Sequence, residues 1–291
     1  MRVIVTGASG FVGSHVLAGL VERAEVHAVA RHAGIAPAVR WHECDLFDDD
    51  RTRVTLERIR ATHLIHLPWC TEPGLFWNSA ANVDWLQHSL NLVRAFIASG
   101  GMNVIVAGSC AEYRWSGEHC REDATPLSDE TLYALSKNAL HAICTSLCEQ
   151  AGVRLAWGRI FYAYGVGEAR GRFLSSAARA IARGEAIELR EADRRLDYVH
   201  VRDVAAAFAM LTESQAEGSY NIGSGEGRTV RSMIKALATA ASREPKVTHE
   251  LGAVKAPDVV ADIEKMRALG WAPLVPFEEG VAGLWRVGGG T

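Results

Sequence analysis

Val3-Ile4-Val5-Thr6-Gly7-Ala8-Ser9-Gly10-Phe11-Val12-Gly13 stands almost at the start of the chain, and its reading decides the fold. Three consecutive apolar residues predict a short strand. Glycines at every third position then predict a tight turn, and His15-Val16-Leu17 the helix behind it. A turn of this composition lets a dinucleotide pyrophosphate approach the backbone closely, because glycine removes the side chain that would block it. The helix N-terminus adds unpaired N–H groups and the positive end of its dipole. Taken alone, the three glycines also fit an ordinary strand-to-helix turn. What separates the two readings lies 120 residues downstream, in Tyr133 and Lys137.

Working outward, strands and helices alternate. Val26–Val29, His63–Leu67 and Val104–Ala107 read as further strands, and a helix is expected near His15–Glu22. Between the last two strands Val83, Leu86, Leu90, Val93 and Ile97 recur at helical spacing. Alternation of this kind predicts an α/β fold: a doubly wound parallel sheet of the Rossmann type, with right-handed crossovers and helices on both faces. Beyond about residue 158 the pattern loosens into a helix near Phe173–Arg183, an extended Leu196–Val201 and a closing helix over Asp262–Leu269. That tail reads as a smaller C-terminal lobe.

Composition narrows the function classes. A chain of 291 residues with 48% hydrophobic content buries a substantial core. Its 31 basic and 34 acidic residues give a formal charge of −3 without a long single-sign block, so capture of nucleic acid or of an anionic membrane is not indicated. No apolar run reaches the length of a membrane span, and no cleavable signal precedes the glycine turn; a soluble, cytoplasmic protein is expected. The eleven histidines are scattered, and no metal site is expected. Cys44, Cys70, Cys110, Cys120, Cys144 and Cys148 lack both zinc-site spacing and disulfide-scaffold density, so reduced thiols are expected. Cys144 and Cys148 would share a helix face, as buried small residues or as a redox pair; the former is preferred.

Pro126-Leu127-Ser128-Asp129-Glu130-Thr131-Leu132-Tyr133 marks the start of another helix, with Ser128 as its expected cap and Asp129 and Glu130 at the positive dipole end. Tyr133 and Lys137 lie one turn apart on it and project from the same side. A free tyrosine has a pKa near 10, and use at neutral pH needs roughly three units of depression, about 4 kcal/mol of preferential phenolate stabilisation. A neighbouring ammonium is a natural source.

With these residues in hand, the chain resembles an extended short-chain dehydrogenase/reductase of the NAD-dependent epimerase/dehydratase family, over nearly its whole length. Gly7, Gly10 and Gly13 are similar to the family's Gly-x-x-Gly-x-x-Gly, Asp45-Leu46 to its adenine-side Asp, and His66-Leu67 to its His-Leu-Ala-Ala, with Pro68 and Trp69 replacing the alanines. Ser109-Cys110-Ala111-Glu112-Tyr113 resembles the segment that carries a catalytic Ser or Thr. Arg159 to Gly165, Asp197 to Val204, Tyr220-Asn221-Ile222-Gly223 and Leu269-Gly270-Trp271 complete the ordered set.

The resemblance implies a dinucleotide-binding region over residues 1–158, with 194–222 returning to it, and a substrate-binding lobe from 159–193 and 223–291. It implies Ser109, Tyr133 and Lys137 as catalytic residues. The cofactor would be held by Gly7, Gly10, Phe11, Val12, Gly13, Arg31, Asp45, Leu46, Leu67 and Lys137, and the substrate, often a nucleotide sugar, by Cys110, Tyr162, Arg172, Arg195 and Lys255. Cys110 could also be a nucleophile; a packing role is the simpler reading. Two long helices, at about Trp85–Ala98 and Thr131–Glu149, would pair two copies into a homodimer.

Departures from the family pattern refine this. Dehydratases of the family carry Thr-Asp-Glu where this chain has Ser109-Cys110-Ala111, and Glu112 falls one position late, so elimination chemistry is not expected. Tyr162 replaces the usual Asn, Leu196 stands where an Arg often precedes Asp197, and Lys255 takes an Arg position; Arg172, Arg194 and Arg195 could compensate on a substrate diphosphate. The second strand ends Val29-Ala30-Arg31-His32 without the acidic residue that bonds the ribose in NAD-preferring relatives. A carboxylate about 4 Å from a 2′-phosphate would cost on the order of 4 kcal/mol, whereas Arg31 attracts it, so NADP(H) is favoured over NAD(H). The leading expectation is an NADPH-dependent ketoreductase acting on a nucleotide-activated deoxysugar. An NAD-dependent epimerase is the alternative, and a non-catalytic dinucleotide-binding sensor or scaffold a remote third.

Overall fold

The computed structural model describes residues 1–189, 191–249 and 256–288. The opening apolar run forms β1 (Arg2–Thr6), buried on both faces from Val3 onward, as an inner parallel strand requires. The glycine turn leads into α1 (Phe11–Leu20), which starts four residues before the expected His15 because Gly10 itself occupies the N-cap. Val16, Leu17 and Leu20 anchor that helix in the core, each worth about 1.5–3 kcal/mol of apolar burial. β2 (Glu25–Ala30), β3 (Arg40–Glu43), α2 (Asp49–Ile59), β4 (His63–His66) and α3 (Ala81–Ala98) continue the alternation, and β5 (Asn103–Ser109) ends in a short 3-10 turn over Cys110–Glu112.

After a two-residue strand β6 (His119–Cys120) comes α4 (Leu132–Ala151), then β7 (Arg154–Ile160). Here one expectation is corrected. The helix is capped by Thr131, whose hydroxyl accepts from Ala134 N, and not by Ser128. Ser128 is held one turn early: its N–H donates to Glu112 O and its hydroxyl accepts from Glu130 N, which bends the chain instead of starting a helix.

The chain then crosses outward through β8 (Tyr162–Tyr164), α5 (Phe173–Arg183), β9 (Ala186–Leu189) and β10 (Arg195–His200), and returns by α6 (Val201–Glu213) and β11 (Gly218–Ile222). It finishes with β12 (Gly227–Thr229), α7 (Val230–Ala241), β13 (Lys246–His249), β14 (Val260–Ala261), α8 (Glu264–Ala268) and α9 (Phe277–Gly288). The expected closing helix is α8, but α9 follows it. Phe277, Val281 and Leu284 bury one face of α9 with α5 and α7, in a core separate from those of the main sheet.

Seven strands form the main sheet in the order β11-β7-β5-β4-β1-β2-β3, every pair parallel. Connections reverse direction between β1 and β4. A crevice opens at the carboxyl ends of strands at such a switch point, where doubly wound sheets bind ligands. Gly7 follows one of these two strands and Leu67-Pro68 the other.

Candidate functional site

Close approach explains the glycines at the switch point. Gly7 adopts φ +69, a left-handed conformation that other L-residues rarely adopt, and a Cβ there would stand 2.8 Å from Pro68 N. A Cβ on Gly13 would lie 2.1 Å from Gly7 O, so α1 could not pack this closely on the turn. Gly10 N donates to Gly7 O at 3.0 Å, and the N-cap offers no side chain to the first N–H groups of α1. A helix N-terminus without a side-chain cap, behind a turn whose glycines leave no Cβ at Gly7 and Gly10, fits a dinucleotide pyrophosphate. Phe11 and Val12 are half-buried in the first turn of α1. The Gly165–Gly167 loop crosses nearby, with His15 Nε2 3.2 Å from Val166 O.

The residues expected on the adenosine side follow the same sheet edge. Leu46 is buried and Leu67 half-buried, its N–H donating to Thr6 O; Asp45 is exposed and accepts from Phe47 N. Arg31 is exposed just past the end of β2. Sequence reasoning missed that Ala30 pairs in register with Glu43, whose carboxylate accepts from Ala33 N at 3.1 Å, so this rim carries both signs. Only the parallel pairing of β2 with β3 brings that carboxylate here.

Ser109, Tyr133 and Lys137 converge beside the crevice. Ser109 ends β5, and Tyr133 and Lys137 occupy the first two turns of α4, buried to 6% and 3% exposure. Burial pushes the Tyr133 phenol well up, opposed by a hydrogen bond with Ser109 and by the charge of Arg172. Burial draws Lys137 down to about 8, opposed by the negative charge of Glu112; at neutral pH its ammonium stays mostly protonated. Lys137 Nζ donates to Ala107 O at 2.7 Å and lies 3.9 Å from the centre of the Trp69 ring. Phe76, Trp77 and Trp69 meet the Tyr133 ring edge-on at 4.9, 6.0 and 6.4 Å.

Behind Ser109 lies a buried polar chain that the sequence did not announce. Glu112, fully buried, takes donations from Ser109 N at 2.8 Å, Trp157 Nε1 at 2.9 Å and Arg159 Nε at 2.7 Å. Arg159 also donates to Tyr113 Oη, which donates to Asn221 Oδ1 at 2.7 Å. Glu112 is therefore committed to holding the Ser109 backbone and to neutralising Arg159, and is not placed to serve an elimination. The single hint in the sequence is a carboxylate and a guanidinium both inside strand-end motifs.

On the substrate side the expected residues separate. Arg172 is brought to the site: it lies 5.7 Å over the Phe76 ring, donates to Thr71 O and sits close enough to Tyr133 to affect its titration. Tyr162 is half-buried and stacks on Tyr198 at 5.2 Å. Cys110 is buried, its thiol pushed well up by desolvation, and its carbonyl accepts from Trp115 Nε1. A protonated, buried thiol fits packing rather than nucleophilic attack. Arg195 stands apart, exposed, at the start of β10. It is Arg194 whose guanidinium lies over Trp115, at 5.6 Å. Lys255 lies outside the described residues. All six cysteines are free thiols, with Cys144 and Cys148 buried against the main sheet. Among the described residues no helix is long and apolar enough to cross a membrane.

Comparison with known proteins places this geometry in context. The model of the NAD dependent epimerase/dehydratase family matches residues 3–223. GDP-6-deoxy-D-mannose reductase of Pseudomonas aeruginosa is 29% identical over 267 residues, covering 86% of this chain and 83% of that protein. ADP-L-glycero-D-manno-heptose-6-epimerase of Cupriavidus pinatubonensis is 27% identical and covers 97% of each. Among solved structures, UDP-glucose 4-epimerase of Thermus thermophilus, in complex with NAD, superposes with a TM-score of 0.84 at 27% identity, over 100% of this chain and 99% of that one.

Proposed function

Because the chain belongs to the NAD dependent epimerase/dehydratase family, and is thus an enzyme of the extended short-chain dehydrogenase/reductase type, we propose that it uses NADPH to reduce a keto group on a nucleotide-activated deoxysugar. The observation that carries this reading is the convergence of Ser109, Tyr133 and Lys137 beside the glycine cradle at the switch point. In it, Gly7, Gly10 and Gly13 admit the pyrophosphate, and Lys137 holds the nicotinamide ribose. A dinucleotide held there would supply the hydride for the carbonyl carbon.

Each protein group then has a distinct task. Tyr133 Oη gives its proton to the carbonyl oxygen as negative charge develops there, and Ser109 Oγ donates a hydrogen bond to the same atom. Burial alone holds the phenol too high for this. The Ser109 hydrogen bond and the Arg172 charge oppose that rise, and the role given to the Lys137 ammonium, one turn along α4, is to lower the phenol further. Residues 159–193 and 223–291 form the substrate lobe, with Arg172 and Arg194 meeting the diphosphate from the aromatic wall. Two copies pair through α3 and α4, where Val83, Leu135 and Ile143 are exposed; sedimentation equilibrium tests this, and a monomer would refute it.

A second reading, an epimerase that retains NAD, is favoured by the Glu43 carboxylate beside Ala30. Following absorbance at 340 nm while the purified enzyme meets several 4-keto-6-deoxy nucleotide sugars separates the two. A reductase consumes NADPH in proportion to product, and Tyr133→Phe should slow it by roughly two to four orders of magnitude. Sugar interconversion without net cofactor consumption would replace the reductase reading by the epimerase.

A further inference from the structure

Where the resemblance places small alanines after the His-Leu strand end, this chain carries Pro68 and Trp69. The large side chain is firmly held. Its Nε1 donates to Asn82 Oδ1 at 2.8 Å, and Asn82, fully buried, is pinned in turn by donating to Phe76 O at 2.7 Å and Ser79 O at 2.9 Å. Trp85 stacks against the indole at 6.3 Å, and the Tyr133 ring meets it edge-on. These contacts point one face of the indole at Lys137 Nζ, 3.9 Å from the ring centre.

An ammonium has three N–H donors, and the Ala107 carbonyl takes one, at 2.7 Å. A buried cation whose remaining hydration has been stripped is costly, and the negative face of an indole is a strong aromatic substitute for water. We propose that Trp69 is a positioning residue that acts through Lys137, its indole face keeping the buried ammonium charged and aimed along the crevice. The inference rests on the reading of Lys137 as a working group of the site.

Two titratable side chains face Lys137, and a third lies one turn away on its helix. Glu112, in the turn after β5, favours the cation. His66, at the end of β4, is bonded to Thr6 and Ser89 and held neutral by burial. Tyr133 shares the helix and stays protonated. Neither Glu112 nor His66 is hydrogen-bonded to Trp69, whereas Tyr133 loses its edge-on contact with the indole when Trp69 is changed. The sign of the effect is also diagnostic: loss of the π face removes stabilisation from the cation and lowers the Lys137 pKa, whereas admission of water to the space left behind would raise it.

Selectively 15N- and 13C-labelled lysine in the full-length protein reads this directly, with the Lys137 signal assigned by its loss in Lys137→Ala. Wild type should titrate near 8. Trp69→Leu should fall by roughly 0.5 to 1.5 pH units, the span corresponding to a desolvated cation–π contact, and Trp69→Phe by clearly less. The alkaline limb of turnover should move down with it, since activity is lost as Lys137 loses its proton. Biosynthetic 5-fluorotryptophan, which weakens the face with little change in shape, should also lower the titration, and serves if Leu is not tolerated. A Lys137 titration that rises or stays put in Trp69→Leu, or is unmoved by fluorotryptophan, overturns the proposal. Normal turnover in Lys137→Ala would instead overturn the catalytic reading and leave the titration result intact.

Discussion

Gly13→Ala isolates the contact on which the cofactor cradle depends. The new Cβ would sit 2.1 Å from Gly7 O and 2.8 Å from Ala8 Cα. Both are backbone atoms, with no rotamer that moves them aside. Restoring ordinary van der Waals separation requires α1 and the turn to part by roughly 1 Å or more. Overpacking of this kind costs about 1–3 kcal/mol, or about 2–4 °C of melting temperature per kcal/mol for a chain of this class. The same displacement draws the N–H groups of α1 away from the pyrophosphate. Losing one charge-assisted hydrogen bond, worth about 1.5–3 kcal/mol, weakens dinucleotide binding by roughly tenfold or more. Gly19→Ala, in the last turn of the same helix, is the control: a Cβ there meets nothing within 4 Å, so it should stabilise by about 0.5–1 kcal/mol. Differential scanning fluorimetry and calorimetric titration with NADPH and NADH measure both effects. A Gly13→Ala protein that melts and binds like wild type would refute the close-packing account of this turn.

Other consequences are as specific. Ser109→Ala should lower turnover by roughly two to three orders of magnitude while Cys110→Ala changes it little, because that thiol is buried and protonated; steady-state kinetics in the reverse order would transfer the donor role to Cys110. Arg31→Ala should narrow the preference for NADPH over NADH by about 1–2 kcal/mol, and the wild-type gap should shrink with added salt because Arg31 is exposed; equal wild-type affinities would remove the case for NADP(H). His66 is drawn down to about 3 by burial while its unfolded value is near 6.5. Between these values the unfolded chain binds the extra proton, so stability is lost as pH falls from 6.5 towards 3. His66→Asn should flatten urea-derived stability over pH 6 to 4 by about 1.4 kcal/mol per pH unit; an unchanged slope would show that His66 is not the group responsible.

What sequence reasoning recovered is what short spacings encode. Apolar runs buried on both faces, glycines three apart and a Tyr and Lys one turn apart each state their geometry within a few residues, and β1, the α1 turn and the start of α4 carry it out. Local signals failed where a distant partner competed. Ser128 followed by Asp129 and Glu130 has every local mark of a helix start, yet Glu112 O captures its N–H and Thr131 becomes the cap.

Glu112 shows the same limit at the site itself. Read along the chain, it is a carboxylate one position out of register with an elimination motif. Its meaning comes from Trp157 and Arg159, 45 and 47 residues away on β7, a strand that reaches Ser109 only through the parallel pairing of β5 with β7. An unpaired buried guanidinium costs about 3–5 kcal/mol, so Arg159 and Glu112 hold each other in place. The carboxylate thereby fixes the Ser109 backbone at 2.8 Å. Arg159 carries the connection through Tyr113 to Asn221, whose amide reaches Cys120 O and Asp262 O. The Ser109 backbone is thus tied, through Glu112 in the turn after β5, to groups on β7 and β11 and to the paired β6 and β14 segments. Its position depends on the sheet having closed with all of them in register, which is a property of the fold and not of any motif.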